Sequence, residues 1–125
     1  MKRLLALSLL LLAGPASAGW TPVTEDGAST TYGDPATVER KGDTATMWTL
    51  VDFRAPRRLV EMAYRSQKQQ MEFRCNADES RVLHAALLVD AMGSGKVAYE
   101  DDSPQDWTRI GADSAIAQLK ALACR

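Results

Sequence analysis

Cys75 and Cys124 are the only two cysteines in a chain of 125 residues, and the compartment in which the chain resides decides whether they bond. Lys2 and Arg3 precede an apolar run from Leu4 to Leu12 that is broken only by Ser8 and closed by Ala13-Gly14-Pro15. Ala16-Ser17-Ala18 supplies the small-x-small pattern of signal-peptidase cleavage, so residues 1–18 read as a signal peptide cut after Ala18. The run is shorter than the about 20 apolar residues that span a bilayer. Gly19 rather than a cysteine stands at the cleavage point, so no lipid anchor is expected and the mature chain, residues 19–125, reads as an exported soluble protein. In an oxidising compartment an even pair in a small domain reads as one disulfide, in preference to reactive thiols or an intermolecular bridge. A Cys-x-x-Cys redox spacing is absent. The bond would close a loop of about 50 residues, worth roughly 4 kcal/mol in the chain-entropy model.

Removing residues 1–18 from 125 leaves 107, enough for one domain with a modest core. The signal takes two of the fifteen basic residues, leaving thirteen against sixteen acidic ones and a net charge of −3. Such a chain carries no field that would attract nucleic acid or an anionic membrane.

Alternation and turn chemistry predict a mostly β domain without repeats or linkers. Trp20–Val23 and Thr30–Tyr32 read as a short opening strand pair, and Asp34-Pro35 as a turn or strand start. Ala36–Arg40 and Thr44–Phe53 form a hairpin about Lys41-Gly42-Asp43. Arg54–Arg58, with its proline and three arginines, is expected to be a loop. Leu59–Cys75 is ambiguous: Tyr64–Gln70 favours helix by propensity, whereas Met71, Phe73 and Cys75 alternate as the inner face of a strand. Asn76–Ser80 is a turn. Arg81–Asp90 is a strand with Leu83, Ala85, Leu87 and Val89 on its inner face, and Val97–Glu100 is another strand. Asp113 or Ser114 caps a final helix whose Ile116, Leu119, Leu122 and Ala123 share one stripe. The expected fold class is α+β, a single antiparallel sheet of about five or six strands with one C-terminal helix on one face. A Cys75–Cys124 disulfide would staple that helix to the sheet.

No catalytic, cofactor or metal set is legible. His84 is the only histidine and should face away from the core, without a second histidine or a free thiol as partner. Gly93-Ser94-Gly95-Lys96 fails as a phosphate loop, because Asp90 stands where the first glycine belongs and Val97 follows the lysine. Glu100-Asp101-Asp102 with Asp106 lacks the alternation and central glycine of a calcium loop and reads as a solvated acidic turn. One asymmetry remains. Arg54, Arg57, Arg58, Arg65, Lys68 and Arg74 concentrate positive charge against only Glu61 and Glu72. This segment is a candidate partner-binding face, with protection of an exposed strand edge as the plainer reading.

Several short motifs follow one another in a set order: Trp20, Tyr32-Gly33-Asp34-Pro35 with Val38 to Gly42, Met47-Trp48-Thr49-Leu50-Val51-Asp52, and Tyr64-Arg65-Ser66 leading to Glu72-Phe73-Arg74-Cys75. Met92-Gly93-Ser94-Gly95, Trp107 and Cys124 complete the set, which covers nearly the whole mature chain. In this order they resemble the surface-adhesin protein E family of Gram-negative bacteria. The resemblance implies a small antiparallel sheet with a C-terminal helix tied down by a disulfide. It also implies a non-enzymatic binding domain for host matrix or serum proteins, although this chain lacks the lipobox cysteine of the family's outer-membrane lipoproteins. An alternative is a periplasmic accessory or inhibitor protein that binds another envelope protein by edge-strand addition. Either reading places the chain in the periplasm, at the cell surface or in the medium, with a protein partner and no nucleic acid. Oligomeric state is left open, a dimer included.

Overall fold

The computed structural model describes residues 19–125; the signal peptide expected over residues 1–18 lies outside the described residues. In chain order the elements are β1 Thr21–Glu25, β2 Ser29–Lys41, β3 Thr44–Leu59, β4 Met62–Arg74, β5 Glu79–Leu88, β6 Val97–Asp101, β7 Thr108–Arg109 and α1 Ala115–Ala123. Strands β1 to β6 pair in sequence order as an antiparallel meander. The two-residue β7 extends the sheet by pairing with the start of β5. The expected α+β architecture is therefore present, with β7 as an addition to the sheet.

The strands are longer and more continuous than the sequence suggests. Pro35 does not start a strand; β2 runs through it, with the register shifting between Asp34 and Glu39. Thr37 stitches that bulge, its hydroxyl donating to the Asp34 carbonyl at 2.7 Å and accepting the Trp48 N–H at 3.0 Å. Arg54–Arg58 is not a loop but part of β3, and Pro56 falls inside a second register shift, between Asp52 and Arg57. In both places the proline lacks only a ladder hydrogen bond that the bulge has already given up. Tyr64–Gln70 is strand throughout, because β4 pairs with β3 on one side and β5 on the other. Two ladders outweigh helix preferences of a few tenths of a kcal/mol per residue.

A third bulge corrects the expected inner face of β5. Gln70 pairs with His84 but Met71 pairs with Val82, which leaves Leu83 out of register and reverses the alternation across it. Val82 consequently packs on the helix-side core, whereas Ala86 and Leu88 are buried on the opposite face and Val89 lies beyond the strand.

Residues opposite each other across a ladder share a face, so the sheet has two distinct sides. On one, Ala45, Met47, Met71 and Phe73 meet Ile110, Leu119, Leu122 and Ala123 in the main core. On the other, Leu50, Ser66 and Leu88 are buried near the 3-10 turn Ala91–Gly93. The Ser66 hydroxyl donates to the Asp90 carbonyl at 2.6 Å and accepts the Gly93 N–H at 2.8 Å, while Asp52 accepts the Met92 N–H at 2.8 Å. Each large apolar side chain buried in these clusters contributes about 2 kcal/mol.

Helix α1 has nine residues, too few to be stable alone in water. Ser114 caps it by accepting the Ala117 N–H at 3.1 Å. Its Leu119 and Leu122 lie against Gly33, where a Cβ would come within 2.8 Å of Met47 and 2.9 Å of Leu122. The far end is bonded covalently: Cys124 forms a disulfide with Cys75, with Cα atoms 5.6 Å apart.

Two of the hairpins turn on two residues each, and they differ in one respect. Gly42 opens the β2–β3 turn at φ +58°, a conformation natural to glycine. Val60 occupies the same place in the β3–β4 turn at φ +56° and is 87% exposed. A β-branched residue in that region is strained, at about 1–3 kcal/mol.

These features set three expectations for chemical denaturation. Replacing both Cys75 and Cys124 by Ser lowers stability by about 2–4 kcal/mol. Gly33→Val costs about 1–3 kcal/mol through overpacking beneath α1. Val60→Asn raises stability by about 1 kcal/mol, because Asn tolerates the left-handed conformation.

Candidate functional site

The structure brings four of the six basic residues to one end of the sheet and separates the other two. Arg54, Arg57 and Arg65 surround Phe53. The Arg57 guanidinium lies 4.3 Å above the Phe53 ring, and Arg65 Nε donates to the Phe53 carbonyl at 2.9 Å. Arg54 forms an ion pair with Glu25. Arg58 stands exposed beside the hairpin tip, next to Leu59 and Val60. Among the described residues, Arg57, Arg58 and Arg65 have no carboxylate within ion-pair distance. The nearby β1–β2 turn is stiffened by Asp26, whose carboxylate accepts the N–H groups of Ala28 and Ser29 at 2.7 and 2.9 Å. Those hydrogen bonds, with a lesser pull from Arg54 and Arg57, hold its carboxyl below the usual range.

Lys68 and Arg74 belong to other neighbourhoods. Lys68 sits in the middle of β4 on the sheet face away from α1, with its ammonium 5.8 Å from the Trp48 ring. Arg74 lies at the far end of β4. There it pairs with Glu79 at 2.6 Å, and together with Arg81 it holds the Trp107 ring, at 4.2 and 4.8 Å. Arg81 is itself paired with Glu72 at 2.7 Å. These charges are engaged within the fold.

The face carrying Trp48 holds a grouping that sequence reading missed. Trp20, Asp34, Thr37, Trp48 and Lys68 bound a shallow hollow of about 220 Å³. His84 stands beside it, its ring edge-on to Trp48 with centroids 5.5 Å apart. As expected, His84 points away from the main core, but it is not without partners. Asp102 contacts its Nδ1, and Glu100 Oε2 lies 3.5 Å from its Nε2. The acidic run is therefore only partly a solvated turn, since alternation along β6 sends Glu100 and Asp102 to one face and Asp101 to the other. The usable signal was that period of two, beside a strand containing the sole histidine. Gly93-Ser94-Gly95-Lys96 is a turn between β5 and β6, as its sequence suggests, with Gly95 at φ +82° packed on the Asp90 carboxylate.

Two hollows flank α1. One, of about 400 Å³, opens over Thr31, Thr49, Gln67 and Gln69 on the sheet and is closed by Ile116 and Leu119 of the helix. The other, of about 460 Å³, lies between the helix and the Arg109–Ala112 segment, with Cys124 in its wall. Neither gathers a nucleophile, a base and an oxyanion donor of the kind hydrolysis requires. Among the described residues no helix is long and apolar enough to cross a membrane.

Solved structures of Haemophilus influenzae protein E share this fold. One overlays with a TM-score of 0.67 at 11% sequence identity, covering 86% of this chain and 85% of that one. A second crystal form gives 0.69 at 11% identity with 86% and 88% coverage. A selenomethionine form gives 0.66 at 11% identity with 86% and 87% coverage. No curated protein matches the chain in sequence. The surface-adhesin protein E family model matches residues 20–125, which is nearly the whole described domain, and the chain belongs to that family.

Proposed function

We propose that this protein is an exported, non-enzymatic binding domain that engages a protein partner through the distal end of the β3–β4 hairpin. The observation that carries this reading is the hairpin end itself. Arg57 and Arg58, which among the described residues have no carboxylate within ion-pair distance, adjoin an exposed Leu59-Val60 tip, and the tip retains a strained valine where glycine or asparagine would fit without strain. Strain kept at an exposed tip points to use of that tip. Exposed arginines beside an apolar tip suit an acidic protein surface with an apolar depression. Membership of a surface-adhesin family supports host matrix or serum proteins as the partner class. The signal over residues 1–18 supports export, with cleavage after Ala18.

Binding of the purified protein to immobilised matrix and serum proteins should be saturable and should weaken as salt rises. Arg57→Ala combined with Arg58→Ala should reduce affinity at least tenfold at low salt, and by less at 0.5 M salt, where the Debye length is roughly 4 Å. Lys68→Ala, in the middle of β4 and away from the hairpin end, should change it little. Absence of saturable binding, or binding that ignores the double substitution, would refute the assignment.

A second reading is supported by the open edge of β6, where Val97 and Tyr99 are each 46% exposed. The opposite edge, β1, is blunted by Pro22 and a register shift. In this reading an envelope protein adds a strand to β6. Val97→Lys with Tyr99→Lys should then release a co-purifying periplasmic partner while leaving hairpin-dependent binding unchanged.

A further inference from the structure

The grouping of His84, Glu100 and Asp102 is built by strand register. Glu100 stands opposite Ala86 and Asp101 opposite Ala85, so residues 100 and 102 fall on the face that carries His84. The donor atoms of the three residues lie within 4.8 Å of one another. Its charge balance differs from the other ion pairs of the fold. Arg54–Glu25, Arg74–Glu79, Arg81–Glu72 and Lys120–Asp78 each match one carboxylate with one permanent cation. Here two carboxylates converge on a single imidazole, and among the described residues neither has a Lys or Arg within ion-pair distance. The grouping is net negative whether or not His84 is protonated.

We propose that His84 Nε2 and Glu100 bind a divalent metal ion of the zinc, nickel and copper group, with Asp102 as the positioning residue for the imidazole. Ligand atoms of tetrahedral zinc lie about 2.0–2.2 Å from the metal, and hence roughly 3.4 Å from each other. The 3.5 Å between Nε2 and Glu100 Oε2 already has that spacing. An ionised carboxylate only accepts hydrogen bonds, so Asp102 at Nδ1 places the ring proton there and leaves the Nε2 lone pair directed toward Glu100. The edge contact with Trp48 restricts rotation of the ring. Glu100 is open to solvent, so water completes the coordination. Imidazole as a ligand favours zinc, nickel and copper over magnesium and calcium, which take oxygen ligands in larger number.

The test uses tag-free, disulfide-bonded protein, titrated with Zn²⁺ by calorimetry and with Ni²⁺ while tryptophan fluorescence is followed. One saturable Zn²⁺ site reversed by EDTA is expected, and Ni²⁺ should quench Trp48, whose ring adjoins His84. His84→Gln and Glu100→Gln should each weaken binding tenfold or more, and His84→Gln should abolish the quenching. Asp102→Asn should weaken it about tenfold. Glu72→Gln, remote from the site, should leave it unchanged, and circular dichroism should show all four variants folded. Imidazole ¹⁵N spectra separate positioning from mere folding. Zn²⁺ should shift the Nε2 resonance of a ring protonated at Nδ1, and that tautomer preference should be lost in Asp102→Asn. No saturable Zn²⁺ site, binding indifferent to His84→Gln or Glu100→Gln, or Ca²⁺ binding as tight as Zn²⁺ would overturn the site. An unchanged tautomer and affinity in Asp102→Asn would overturn the positioning role.

Discussion

The long ladder between β3 and β4 is the constraint on which the rest depends. It pairs Thr44 with Arg74 at one end and Leu59 with Met62 at the other, interrupted only by the shift at Asp52–Arg57. Every buried backbone group in those strands needs a partner, and the ladder supplies one while fixing which side chains share a face. Met47 and Met71 thereby meet under α1, and Leu50 and Lys68 meet on the other side. A slip of one residue would exchange the two faces and bury Trp48 and Gln70 where Met47 and Met71 now stand.

Much of this plan was legible in the chain. Met71, Phe73 and Cys75 announced their strand by alternation, and Ser114 with Leu119, Leu122 and Ala123 announced the helix and the side it buries. The cysteines could be paired because the export signal places an even pair of them in an oxidising compartment. The misreadings share a cause. Pro35 and Pro56 are local signals of interruption, and Leu83 belongs to a regular alternation, yet all three lie where a bulge changes register. A bulge is set by the partner strand, so a single stretch of sequence does not reveal it. The Tyr64–Gln70 segment failed differently, since its preference for helix was real but small beside two ladders.

The two candidate surfaces divide in the same manner. The basic segment was visible as composition, but folding distributes it: Arg57 and Arg58 stay available at the tip, whereas Arg74 is committed to Glu79 and Trp107. The grouping at His84 was invisible because its members lie 16 and 18 positions apart and meet only through the β5–β6 register. The fold is shared with Haemophilus influenzae protein E at only 11% sequence identity.

The placement of α1 also governs the order of assembly. Its Leu119, Leu122 and Ala123 complete a core whose other wall comes from Ala45 and Met47, so the two halves must find one another across most of the domain. Contacts that distant form late and slowly. Until the helix docks, Met47 and Phe73 line an uncovered apolar sheet, a surface prone to stick to other chains. Oxidation of Cys75 with Cys124 makes docking durable, which ties a nascent molecule's escape from aggregation to the redox state of its surroundings.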